Sequence, residues 1–146
     1  MKSELEGVRL ISFPTVQAAR GNLTALELPD VVPFEVRRIF LVHHVSNSEV
    51  RGEHAHKKCW QLLISTTGKV MVDLSDGEMN KTFRLDSPDK GLLIPPLIWG
   101  TQYNFSTNAA LLVLASEAFD PDDYLHNFQE FKDFRRNNPN KTQLKG

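Results

Sequence analysis

Arg51-Gly52-Glu53-His54-Ala55-His56-Lys57-Lys58-Cys59-Trp60-Gln61, followed seven residues later by Gly68, is the most informative stretch of the chain. Two histidines separated by one residue point to the same face if the segment is a strand. Outward from it, apolar stretches of five to eight residues recur, split by turn signals at Ser46-Asn47-Ser48, Thr67-Gly68, Asp76-Gly77, Ser87-Pro88-Asp89, Pro95-Pro96 and Ser106-Thr107-Asn108. That spacing predicts many short antiparallel strands. Val70, Val72 and Leu74 alternate with Met71 and Asp73, and a turn at Ser75-Asp76-Gly77 leads into a partner strand over Lys81 to Leu85. About ten strands must solve the edge problem, and a double-stranded β-helix jelly roll does so while leaving a barrel mouth for a ligand. The Cys…Trp…Cys spacing of an immunoglobulin-like sandwich is absent.

The end of the chain reads differently. Phe119-Asp120-Pro121-Asp122-Asp123-Tyr124 has the features of a helix start: Asp120 as N-cap, Pro121 at the first helical position, two acids near the positive end of the dipole, and Phe119 placed against Tyr124. Tyr124, Phe128, Phe131 and Phe134 then form an apolar stripe suited to packing on the barrel or a sister subunit. Residues 1–136 are expected to form a single all-β domain with a short C-terminal helix, and residues 137–146 a solvated tail.

The chain has 146 residues with 17 Lys+Arg against 18 Asp+Glu. A near-neutral balance offers no global field for a polyanion, so nucleic acid and acidic membranes are poor partners and a small, locally bound ligand fits better. No apolar run approaches the length of a membrane span, and Lys2, Glu4, Glu6 and Arg9 interrupt any signal-peptide core. The single cysteine, Cys59, cannot form an internal disulfide, which suits a reducing compartment. A cytoplasmic location follows as the expectation.

If the histidine face is the barrel interior, both imidazoles converge on one small volume. The spacing resembles the first cupin motif, in which a Gly precedes His-x-His and a Glu follows; here Gln61 stands at the Glu position. Pro95-Pro96-Leu97-Ile98-Trp99-Gly100-Thr101-Gln102-Tyr103-Asn104 resembles the second, with Gly100 where the third histidine belongs. A neutral amide and a glycine thus replace a carboxylate and an imidazole, and two histidines alone rarely hold a catalytic first-row metal. No metal and no cofactor are expected. His43 or His44 could add one imidazole, but adjacent strand residues face opposite ways. Two barrel-lining histidines hydrogen-bonded to their neighbours would give the same pattern without any chemistry.

Several further segments narrow the reading. Arg20 to Glu27, Pro33 to Phe40, Arg51 to Lys57, Asp86 to Pro96 and Leu112 to Ser116 resemble the sugar 3,4-ketoisomerases, also called WxcM-like or FdtA-like, over residues 8 to 134. The resemblance implies a homodimeric, metal-free, cupin-type jelly roll. It would convert dTDP-4-keto-6-deoxyglucose to a 3-keto-6-deoxyhexose, on the route to 3-amino-3,6-dideoxyhexoses of surface polysaccharides. Gln61 agrees with the family's pattern. Two departures stand out: typical members carry histidine where this chain has Gly100, and a tyrosine pair where it has Phe40-Leu41.

Such an isomerase moves a carbonyl through an enediol and needs a base near working pH, for which histidine is suited. Periodicity leaves the order of the two histidines open; the resemblance favours His56 as base at carbon, with His54 serving the enediol oxygens. Gln61 and Arg51 could donate to the developing oxyanion. Arg20, Arg51 and Lys57 are candidates for the diphosphate, and Trp99 or Tyr103 for stacking on thymine. A nucleotide-sugar epimerase of the same fold and a non-catalytic nucleotide-sugar binding protein are the alternatives.

Overall fold

The computed structural model describes residues 4–139. Twelve strands and one α-helix follow in the order β1 (Arg9–Ser12), β2 (Thr15–Ala18), β3 (Gly21–Thr24), β4 (Arg38–His43), β5 (Arg51–His56), β6 (Gln61–Thr67), β7 (Val70–Ser75), β8 (Asn80–Leu85), β9 (Lys90–Ile94), β10 (Trp99–Tyr103), β11 (Ala110–Ala115), β12 (Tyr124–Leu125) and α1 (Phe128–Asn137). Two five-stranded sheets, ordered β1-β9-β6-β11-β4 and β12-β5-β10-β7-β8, face each other, and β2-β3 forms a separate hairpin. The fold is a jelly roll, with antiparallel pairing throughout.

Alternation decides which side chains fill the space between the sheets. Val70, Val72 and Leu74 from one sheet meet Leu63, Leu92, Leu111 and Val113 from the other, all with at most 1% of their surface exposed. The opposite face of the first sheet, carrying Leu62, Ile64, Leu93 and Leu114, is covered by residues 31–36, with Phe34 against Trp60. The opposite face of the second sheet, at Ala55 and Leu97, is covered by α1 through Phe131, and Arg135 donates to the Leu97 carbonyl.

The C-terminal segment departs from the sequence reading. Asp120 does cap a turn, accepting from the Asp122 N–H with Pro121 at the first position, but Pro121–Asp123 makes one 3-10 turn only. Tyr124-Leu125 then extends to pair with His56 and Ala55 of β5. The α-helix begins afterwards, with Asn127 accepting from the Glu130 N–H. Tyr124 is therefore not part of the helical stripe, although its ring does meet Phe119 at 5.9 Å. Pairing with an open strand edge satisfies backbone groups that a longer helix would have satisfied internally. The tail expected at 137–146 falls largely outside the described residues; Asn137 is the last residue of α1. Among the described residues no helix is long and apolar enough to cross a membrane.

Candidate active site

β5 carries a bulge that shapes the site. His54 lies opposite Gly100 and Gly52 opposite Thr101, so Glu53 has no partner across the pair. Gly52 and Glu53 both adopt positive φ, 84° and 57°. An extra residue inverts the parity of everything before it. Arg51, which plain alternation would set on the face opposite His54, instead lies opposite Gln102 and on the same face as Gly100 and His54.

Beyond the bulge, His54 and His56 line one interior cavity together with Cys59, Gln61, Gly100 and Gln102. Their rings meet edge to face at 5.0 Å. The Nδ1 of His56 lies 2.9 Å from Oδ2 of Asp123, which is 4% exposed and also accepts the Lys58 N–H at 2.8 Å. Burial alone would raise the Asp123 carboxyl, but hydrogen bonds from His56 and the Lys58 N–H outweigh it and hold it below the usual range. The carboxylate can then only accept, so Nδ1 of His56 carries the proton and Nε2 keeps its lone pair. That Nε2 is buried and has no partner.

His54 obeys the same logic with a weaker acceptor. Its Nδ1 lies 3.0 Å from the Gly52 carbonyl, so it donates there and leaves Nε2 unprotonated. Burial, then the neighbouring His56, pushes its pKa down to about 4. The two imidazoles thus share a tautomer; His56 has a carboxylate behind it, and His54 is held neutral.

On the outer side of Gly52 and His54, which line both spaces, lies a groove of about 460 Å³ that also includes Arg51, Phe119, Tyr124 and His126. Tyr124 packs on both histidines, at 4.9 and 4.5 Å, and lies parallel to His126 at 5.4 Å. The inner cavity measures only about 20 Å³, room for a single water. A ligand larger than a water is therefore accommodated at the mouth groove, not in the inner cavity. A separate groove of about 500 Å³ beside α1, lined by Glu6, Glu78, Lys132 and Arg135 among others, contains neither histidine.

Of the residues expected from sequence, His54, His56, Gln61 and Arg51 come together here. Trp99 does not: its ring packs on Phe128 and Phe131 of α1, because Gly100, not Trp99, faces inward. Tyr103 shares the outer face, where its hydroxyl donates to Asp73 at 2.9 Å, while Gln102 of the same strand lines the cavity. The Lys57 ammonium lies over the Phe134 ring. Arg20 sits exposed at the β2–β3 turn and lines neither the cavity nor the mouth. His43 and His44 contact each other at the exposed end of β4, away from the cavity. Residues not singled out from sequence are Asp123, Tyr124 and His126, all brought in by the segment read as helix.

The cupin metal set does not fit this cavity. Gln61 offers a neutral amide and Gly100 no donor, leaving two imidazoles. His56, Cys59 and Asp123 present one ligand atom each within 4.8 Å of one another, but an ion there would compete with the hydrogen bonds that already use the Asp123 carboxylate. Burial also raises the Cys59 thiol, keeping it protonated.

Comparison with known proteins agrees with this geometry. The family described as FdtA, WxcM-like C-terminal, matches residues 6–136. The TDP-4-oxo-6-deoxy-alpha-D-glucose-3,4-oxoisomerase of Aneurinibacillus thermoaerophilus is 35% identical over 126 residues, 86% of this chain and 91% of that protein. Among solved structures, a histidine-to-asparagine variant of the 3,4-ketoisomerase QdtA from Thermoanaerobacterium thermosaccharolyticum, in complex with TDP-4-keto-6-deoxyglucose, superimposes with a TM-score of 0.89 at 34% identity, covering 92% of this chain and 97% of that one. The WlaRB TDP-quinovose 3,4-ketoisomerase from Campylobacter jejuni gives 0.84 at 36% identity, covering 88% and 99%. The rmlC epimerase of Mycobacterium tuberculosis, at 14% identity and 0.72 over 84% of this chain and 70% of that one, shares the fold. With this match over nearly its whole described length, the chain belongs to the FdtA, WxcM-like family.

Proposed function

We propose that the protein is a sugar 3,4-ketoisomerase acting on TDP-4-keto-6-deoxyglucose. The observation that carries the reading is the pair of imidazoles in one cavity, each with its Nδ1–H committed to an acceptor and its Nε2 free. The Aneurinibacillus relative is named for TDP-4-oxo-6-deoxy-alpha-D-glucose, and the QdtA variant binds TDP-4-keto-6-deoxyglucose.

In this mechanism His56 Nε2 takes the proton from C3. The C–H electron pair forms the C3–C4 double bond, and the C4 carbonyl oxygen takes the negative charge. The imidazolium so formed faces the Asp123 carboxylate, which stabilises it in a water-poor setting. Gln61 and Arg51 supply donors to the enediolate oxygens. His54, which stays neutral, accepts the hydrogen bond of the C3 hydroxyl, and that proton passes to O4 as the C3 carbonyl forms. His56 returns its proton to C4. A positioned base of this kind supplies about 10² to 10⁴ in rate. The protein's own groups complete the cycle, which is why we take it to be metal-independent.

A homodimer is part of the proposal. Ile39 and Leu41 on the edge strand β4, and Val16 and Leu23 on the hairpin, are 57–64% exposed. Apolar strand faces of this kind favour a second copy over water. Arg20, at the tip of the same hairpin, would then be directed toward a partner. Service in deoxysugar supply for surface polysaccharides, in the cytoplasm, completes the reading.

The test is incubation with TDP-4-keto-6-deoxyglucose in heavy water, followed by proton NMR. A 3-keto product with deuterium at the ring carbons is expected. Deuterium at C3 and C5 with the ketone still at C4 would indicate an epimerase instead, and tight binding with no exchange a non-catalytic binder.

A further inference from the structure

His43 closes β4, with its backbone opposite Ala110 of β11. Plain alternation would send His43 and His44 to opposite faces. Instead His44 leaves the strand with φ of 58°, and the two rings meet edge to face with their centres 4.8 Å apart. Their Nδ1 atoms lie 2.6 Å from each other. A positive φ is costly for a residue with a side chain and persists only where the surroundings impose it. Here they do: Val42 and Val45, on either side of the pair, pack into the core between the sheets.

Two ring nitrogens this close cannot both point an N–H at each other, so at most one proton lies between them and at least one lone pair faces the other ring. Both residues are exposed. They adjoin an open groove of about 370 Å³ whose wall includes Thr107 and Asn108, and the Asn108 amide is already engaged with Ser106 and Thr67. Among the described residues no carboxylate, cysteine or third histidine joins the pair; the one cluster of three such groups is His56, Cys59 and Asp123. The end of β4 therefore presents two nitrogen donors on an anchored backbone, converging on one point and open to solvent.

We infer that His43 and His44 form a bidentate surface site for a late first-row divalent cation, and that Cu(II) suits it best. The geometry selects the ion. With metal–nitrogen distances of about 2.0–2.1 Å, a right-angled bite needs donors about 2.9 Å apart and a tetrahedral bite about 3.4 Å. The separation of 2.6 Å is close to the first and far from the second. Right-angled, tetragonal coordination belongs to Cu(II) and Ni(II), and Cu(II) is the stronger binder of the two. On binding, both Nδ1 lone pairs turn to the ion, the proton that one ring held there moves through water to its Nε2, and the remaining positions are left to water. One ligand lies in β4 and the other just beyond it, so a bound ion ties down the strand end and stabilises the fold by mass action. The site is independent of the isomerase reading, since neither residue lines the cavity or its mouth.

The experiment is calorimetric titration of the wild type, His43→Asn, His44→Asn and the double variant with copper(II) chloride and with zinc chloride, alongside Cu(II) electron paramagnetic resonance, thermal melts and turnover. Asparagine tolerates the left-handed backbone at position 44, and both positions are exposed, so neither substitution threatens the fold. The readout is the difference from the wild type, which cancels any copper held by the other imidazoles. The wild type is expected to take up one Cu(II) at this site, more tightly than Zn(II), with two equatorial nitrogens in its spectrum and a raised Tm. Each single variant loses the advantage of the second linked donor, so binding should weaken by about 100-fold or more, and the rise in Tm should vanish while turnover without metal stays unchanged. A double variant that holds Cu(II) as tightly as the wild type, with the same spectrum, overturns the site. Zn(II) bound as tightly as Cu(II) overturns the right-angled assignment and with it the choice of ion.

Discussion

Asp123 reaches across 67 residues of sequence to hold the Nδ1–H of His56 at 2.9 Å, and the backbone of Lys58 holds Asp123 in turn. The pair fixes which nitrogen of His56 is free and places negative charge behind the ring when it gains a proton. Asp123→Asn keeps the size of the side chain and removes the charge. Its amide can turn either end to the ring, so the productive tautomer is no longer enforced. A fall in kcat of about 10² to 10³ is expected, with KM for the nucleotide sugar nearly unchanged, since Asp123 does not line the mouth. Loss of affinity with unchanged kcat would show that Asp123 shapes binding instead.

The two histidines should separate in kinetics. His56→Asn removes the base at carbon and should lower kcat by about 10² to 10⁴, together with the exchange of deuterium into product. His54→Asn retains a group that can hydrogen-bond the sugar oxygens, so a smaller fall in kcat and a larger effect on KM are expected. Proton NMR of product formed in heavy water reads both. Equal activity of the two variants and the wild type would remove the histidines from the reaction.

What the sequence reveals of this site follows the reach of its local rules. Period-two alternation aligns His54 with His56 and buries Val70, Val72 and Leu74, and the structure keeps both patterns. The same rule, applied along β10, separates Trp99 and Tyr103 from Gly100, so their outward placement was available in the pattern. The bulge at Glu53 has one local signal, Gly52, a glycine inside a strand that is free to take positive φ, but a lone glycine does not fix where the pairing slips, and it is the bulge that turns Arg51 to the histidine face. Asp123 was masked by a helix signal. Asp120-Pro121 does start a turn, but the open edge of β5 competes for Tyr124 and Leu125 and wins.

Acid stability should report the state of His54. Its folded pKa of about 4 lies below the ordinary histidine value of 6.5, so between those values the unfolded chain binds a proton that the folded chain does not. Stability therefore falls as pH drops from 6.5 toward 4. Asp123, whose carboxyl is depressed, contributes stability that is present above its unfolded value and lost as pH falls through its folded value, a lower window. Urea midpoints of the wild type should thus decline between pH 6.5 and 4 more steeply than those of His54→Asn. Parallel curves would mean that His54 is not held neutral.

Gly52 of β5 and Gly100 of β10 lie close together across the bulge, yet they should respond oppositely to a methyl group. Gly52 has φ of 84°, and a Cβ there would lie 2.8 Å from the Gly100 carbonyl oxygen, a backbone atom with no room to yield. Gly52→Ala should cost about 1–3 kcal/mol from the left-handed backbone alone. It should also disturb the bulge, and with it the placing of Arg51. Gly100 sits in ordinary strand backbone, and its Cβ would meet only Leu74 Cδ2 at 3.4 Å. Gly100→Ala should therefore leave stability within about 1 kcal/mol of wild type. Because Gly100 lies opposite His54 and lines the cavity, the added methyl enters the space where the sugar edge must sit. Thermal melts should separate the two variants, and kinetics should show Gly100→Ala as a folded enzyme with a raised KM. A Gly100→Ala protein with unaltered kinetics would place the hexose away from this wall.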